Sequence, residues 1–143
     1  MQRLSWPDVE EKLSVIRERV ENFNAQEKSV RVCELVLFGS ALFPERPSFG
    51  DVDIDFNLAF VENKSHPWSL FEDWARFISD EVLNVPDVSV HWGAVEHLDC
   101  AHRVIWRCDP KTGVVAQPDA AVVPAGEFWV PYLKPISHRG FSL

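Results

Sequence analysis

The sequence predicts an α/β fold: a mixed β-sheet flanked by helices, with a β extension toward the C-terminal end. Three observations predict it. Two stretches carry apolar residues at helical spacing, five shorter ones read as strands, and prolines and glycines separate them. The 143 residues fit one domain, 1–143, and 46% hydrophobic with 25% charged residues is the composition of a chain that buries its own core.

Ser5-Trp6-Pro7-Asp8 is a helix start. Ser5 is a capping residue, Pro7 suits the first turn, and Asp8 and Glu10 favour the positive end of the dipole. Val9, Leu13, Ile16, Val20 and Phe23 recur at helical spacing, which predicts a helix over 7–23. Val30 to Phe38 is rich in Val and Leu and reads as a buried strand that stops at Gly39-Ser40. Pro44, Pro47 and Gly50 then prevent a long helix. A second strand runs from Asp51 to Leu58 and alternates strictly, acidic on one side and apolar on the other. Pro67 opens a second helix with Leu70, Phe71, Trp74, Phe77, Ile78 and Val82 on one side. Val88 to Trp92 is a third strand candidate, and Arg103–Cys108 with Val114–Ala116 forms a hairpin around Asp109-Pro110-Lys111-Thr112-Gly113. Beyond Pro118 the extension, residues 95–143, is punctuated by prolines and carries Phe128, Trp129 and Tyr132.

The formal net charge is −8, so the surface repels phosphate backbones and non-specific nucleic-acid binding is disfavoured. A small molecule or another protein is the expected partner. Cys33, Cys100 and Cys108 are odd in number and form no CxxC pair, which argues against a disulfide framework. No apolar signal core opens the chain and no stretch reaches membrane-spanning length, so a cytoplasmic location and no membrane partner are expected.

The chemistry concentrates where the first strand ends in Gly39-Ser40, ten residues follow, and the second strand begins with Asp51-Val52-Asp53. Residues two apart on a strand share a side, so Asp51 and Asp53 present adjacent carboxylates, as does Asp55 one step further. Such a row is tolerable in water or around a divalent cation, and oxygen-only ligands select Mg²⁺ where phosphates complete the shell. Gly39 lets backbone N–H groups approach an anion, and Ser40 adds a hydroxyl donor. A phosphate cradle facing a metal-binding pair suits in-line displacement on a nucleoside triphosphate. The bland alternative is an edge strand whose acids face water to discourage aggregation.

These residues resemble the nucleotidyltransferase superfamily that includes DNA polymerase beta, and most of all its minimal, single-domain members. The match is Leu35-Val36-Leu37-Phe38-Gly39-Ser40, ten residues, then Asp51-Val52-Asp53-Ile54, within a motif core of 30–92. The resemblance implies a nucleotidyltransferase fold with the acidic pair on its second strand. It implies a third carboxylate on a later strand, where Asp87 stands in Pro86-Asp87-Val88-Ser89-Val90. Asp87 reads equally as a turn residue after Pro86. The implied activity is transfer of a nucleoside monophosphate, AMP from ATP or another NTP, to a protein, RNA or small-molecule hydroxyl. Asp51, Asp53 and Asp87 would be catalytic and would hold two Mg²⁺ ions, with Gly39 and Ser40 on the β and γ phosphates. Asp53/Asp55 is an alternative pair; Gly50, which marks the turn into the strand, favours Asp51/Asp53. Ala41-Leu42-Phe43 stand where many minimal members carry an Arg, and Gly50 stands where a Ser is common.

Minimal nucleotidyltransferases often sit beside a small helical toxin, so an antitoxin-type binding partner, with or without catalysis, is the second expectation. A non-catalytic nucleotide or protein binder is the third. Elsewhere, His97, Asp99, Cys100, His102 and Cys108 fit no standard zinc spacing. Arg103 and Arg107, two turns of alternation apart, are placed on one strand face, solvated or meeting a triphosphate. Phe128 to Tyr132 offers either a partner surface or a segment docked on its own core.

Overall fold

The Ser5 hydroxyl accepts the Asp8 N–H at 3.3 Å and the Asp8 carboxylate accepts the Ser5 N–H at 2.8 Å. This reciprocal box satisfies N–H groups that a helix start leaves over. It belongs to a computed structural model that describes residues 3–62, 64–92, 100–116 and 122–124. Helix α1 spans Trp6–Gln26 and buries Val9, Leu13, Ile16 and Val20. It outruns the apolar periodicity by most of a turn. There Asn24 is tied to both backbone groups of Val32, donating to its carbonyl and accepting its N–H at 2.9 Å each.

Strand β1, Val30–Phe38, leads through a short 3₁₀ turn, Gly39–Leu42, and a loop to β2, Val52–Phe60. Helix α2, Trp68–Phe77, continues into one π-helical turn, Ile78–Val82, before β3, Val88–Trp92. Strand β4, His102–Cys108, and the short β5, Val115–Ala116, follow. The sheet order is β3-β2-β1-β4-β5. Among the described residues only β2 and β3 pair in parallel, as the helical crossover between them permits. The fold is thus the expected mixed sheet with helices, and the β4–β5 hairpin forms the expected β extension. Most of 95–143, with His97, Asp99 and the Phe128 to Tyr132 segment, lies outside the described residues. Among the described residues no helix is long and apolar enough to cross a membrane.

One sheet face packs against the helices. Leu35, Leu37, Ile54, Phe56, Ile105 and Trp106 join the α1 and α2 stripes in the main core. The indole N–H of Trp106 donates to Glu21 of α1 at 3.1 Å, which keeps its polar edge satisfied inside that core. The second face carries Phe38, Val36 and Val104 in a small apolar cluster beside the acidic side of β2.

Two expectations need correction. Arg103 and Arg107 do not share a face, because the β1–β4 register slips between Leu35 and Val36. Such a bulge reverses the alternation. Arg103 now lies opposite Leu37 on the helix side, close enough to help hold the Arg17 guanidinium below its ordinary pKa, an effect led by Arg17's burial. Arg107 lies opposite Glu34 on the other side, 2.8 Å from its carboxylate. The α2 apolar set is also wider than one buried side. Phe71, Ala75 and Ile78 are buried, whereas Leu70 and Phe77 are exposed, since six apolar residues span more arc than the sheet covers.

Candidate functional site

The first strand ends because Gly39 takes φ +76, a left-handed backbone that side chains resist. That kink turns the chain into the 3₁₀ segment and sends Ala41 and Leu42 into the core. A second reason for glycine lies across the sheet. A Cβ on Gly39 would overlap the Asp53 carboxylate at Oδ2 and stand 3.3 Å from its Cγ. The Asp53 side chain therefore rests directly on the Gly39-Ser40 corner, with Phe38 and Asp53 paired in register.

Asp51 immediately precedes β2 and is exposed. Burial raises the Asp53 pKa above the ordinary carboxylate value; the nearby Asp51 charge adds to the rise and His91 opposes it. Asp55 shares the Asp53 side of β2 but is 1% exposed, so it is no solvated edge charge. The contact at Gly39 falls to Asp53, the member common to both candidate pairs.

Asp87 sits at the entrance to β3 in the left-handed region, φ 66, with its carbonyl accepting the Val52 N–H at 2.9 Å. This is the geometry of a turn residue, which Asp tolerates well. Asp87 and Asp51 line one open groove together with Gly50, Val88 and Ser89. The Asp87 carboxylate also borders the adjoining groove and lies 4.0 Å from Lys12 of α1. Asp51 thus neighbours Asp87 in the groove and lies near enough to Asp53 to act on its carboxyl, whereas Asp53 lines neither groove. Yet among the described residues no three His, Cys, Asp or Glu side chains converge as a metal cluster. By donor chemistry alone, Asp51 and Asp53 supply carboxylate oxygens, the kind that Mg²⁺ takes beside water and phosphate oxygens. Cys100, His102 and Cys108 assemble no zinc set among the described residues.

Sequence reasoning missed Ser89 and His91. Parallel pairing sets Ser89 beside Asp53 and His91 beside Asp55. The His91 Nε2 lies 3.9 Å from Asp53 Oδ1 and 3.1 Å from the Ser89 hydroxyl. Their alternation along Val88 to Trp92 was readable, but which strand they would face was not.

Comparison with protein-family models, curated proteins and solved structures gives no match for this chain.

The raised Asp53 pKa predicts a pH-dependent stability cost. The folded state binds that proton more tightly than the unfolded chain, so the cost is absent at low pH. It sets in as pH rises through the unfolded carboxylate range, about 3.9. Asp53→Asn should therefore raise Tm at pH 7 without added cations, and the gain should vanish near about pH 3. Thermal unfolding at the two pH values checks this; an equal gain at both would place its origin outside the charge.

Proposed function

We propose that the chain is a Mg²⁺-dependent nucleotidyltransferase that moves a nucleoside monophosphate to a hydroxyl on a protein, RNA or small molecule. ATP is the expected donor. One observation carries the reading: Asp53 rests on a glycine corner that has room for its carboxylate only because no Cβ is there. A solvated, aggregation-blocking strand edge requires no such fit, and it leaves the burial of neighbouring Asp55 unexplained.

In the proposed reaction the acceptor hydroxyl attacks the α-phosphorus, the bond to the β-phosphate oxygen breaks, and pyrophosphate leaves. Asp51 and Asp53 would hold the Mg²⁺, which when bound offsets charge on the attacking and leaving oxygens. The Ser40 hydroxyl and the backbone at Gly39 would bind the β and γ phosphates. Asp87, which lines the same groove as Asp51, would take the acceptor proton. The buried Ala41 and Leu42 bring no cation to the phosphates.

Intact mass measurement of candidate acceptors after incubation with the protein, ATP and Mg²⁺ tests the reading. An acceptor should gain one nucleotidyl group, and Asp53→Ala should abolish the gain. Equal labelling by the variant refutes it.

A second reading, a binding partner of a small toxin, draws on the exposed Trp68, Leu70 and Phe77 of α2. Co-purification with the product of an adjacent toxin-like gene supports it. Undiminished binding by Trp68→Ser/Phe77→Ser would remove its structural basis.

A further inference from the structure

The β3 residues beside Asp53 are chemically distinct from a third carboxylate. Ser89, His91 and Asp53 invite comparison with a hydrolytic triad, but both His91 contacts fall on the same nitrogen, Nε2. A relay needs the serine and the carboxylate on opposite ring nitrogens, so the group does not activate Ser89 as a nucleophile. The ring is nonetheless held. It packs edge-on against Phe38, with centroids 5.4 Å apart at 63°, while its side chain stays 43% exposed. A positioned, solvent-reachable imidazole aimed at a half-buried carboxylate is a donor pair for a cation. Asp87 leans toward Lys12 instead.

We propose that His91 and Asp53, as a pair, are joint ligands of a divalent cation, and that this pair takes Mn²⁺ in preference to Mg²⁺. The inference takes from the transferase reading only the premise that Asp53 holds a cation. Mg²⁺ asks for oxygen donors, whereas imidazole nitrogen favours transition metals. Mn²⁺ is the transition ion that accepts carboxylate, water and phosphate oxygens as readily as Mg²⁺ does. Zn²⁺ sites draw on more nitrogen or sulfur donors than the single imidazole here.

The experiment loads the full chain with Mn²⁺ alone and reads the bound ion by pulsed electron paramagnetic resonance. Directly coordinated imidazole nitrogen modulates the echo. The wild-type protein should show that modulation, and His91→Ala should lack it. The variant's Kd for Mn²⁺ should rise at least about tenfold, while Mg²⁺ affinity, measured by competition, stays unchanged. His91→Gln keeps a hydrogen-bonding side chain beside Ser89 and should lose the nitrogen signal equally; circular dichroism confirms that both variants fold. Bound Mn²⁺ without nitrogen modulation overturns the proposal, as does failure of Mn²⁺ to bind. The two readings fail separately. Oxygen-only Mn²⁺ in a chain that labels an acceptor sinks this inference alone, and nitrogen-coordinated Mn²⁺ in a chain that labels none sinks the transferase reading.

Discussion

Gly39→Ala should lower nucleotidyl transfer by at least about 100-fold, the scale on which a misplacement of about 1 Å in a reacting constellation registers. Two effects act together. The added methyl would occupy the space of the Asp53 carboxylate at Oδ2, which must swing off the corner. The backbone there also stands at φ +76, where a side chain costs about 1–2 kcal/mol. The variant should therefore lose modest stability and most activity. Ser40→Ala, which changes neither the backbone nor the room for Asp53, should keep full stability and lose less activity. Parallel urea unfolding and acceptor labelling separate the two. A Gly39→Ala protein with wild-type transfer would show that Asp53 needs no place at this corner.

Arg107→Ala should destabilise the fold by about 3 kcal/mol, the low end of the range for removing one partner of a buried ion pair. Glu34 is fully buried, and the Arg107 Nε donates to its carboxylate at 2.8 Å. The Arg107 side chain is 26% exposed and so escapes part of the desolvation, which favours the low end of that range. Glu34→Gln in the Arg107→Ala background should recover part of the loss, because a neutral amide costs less to bury than a carboxylate. A chemical denaturation series of the two single variants and the double variant reads this coupling. Additive single losses would mean that the pair contributes nothing beyond its separate parts.

Local features of the fold were legible. The Ser5 cap, the burial of β1 and its stop at Gly39 follow from residues within a few positions of each other, where capping, apolar runs and glycine act. The hairpin around Asp109 to Gly113 was readable for the same reason. The faces of Arg103 and Arg107 were not, because a bulge set by the pairing of distant strands reverses the alternation midway along β4. The α2 stripe misled through its breadth: composition shows six apolar residues but not how much arc the sheet covers. At the site, the spacing from Gly39-Ser40 to Asp53 was informative because an antiparallel return between neighbouring strands brings such residues together. His91 escaped because its approach to Asp53 depends on a parallel pairing reached across a whole helix. The tie between Asp87 and Lys12 depends on where α1 docks, which no local pattern states.

The central claim is that the Gly39-Ser40 corner and the Asp51/Asp53 pair act as one cation-dependent nucleotide site. Calorimetric titration of ATP into the full chain, with and without divalent cation, tests it most directly. Binding should be strong with the cation and much weaker without it, and Asp53→Ala should bring the two conditions together at the weaker value. ATP affinity in wild-type protein that is the same with and without divalent cation would contradict it.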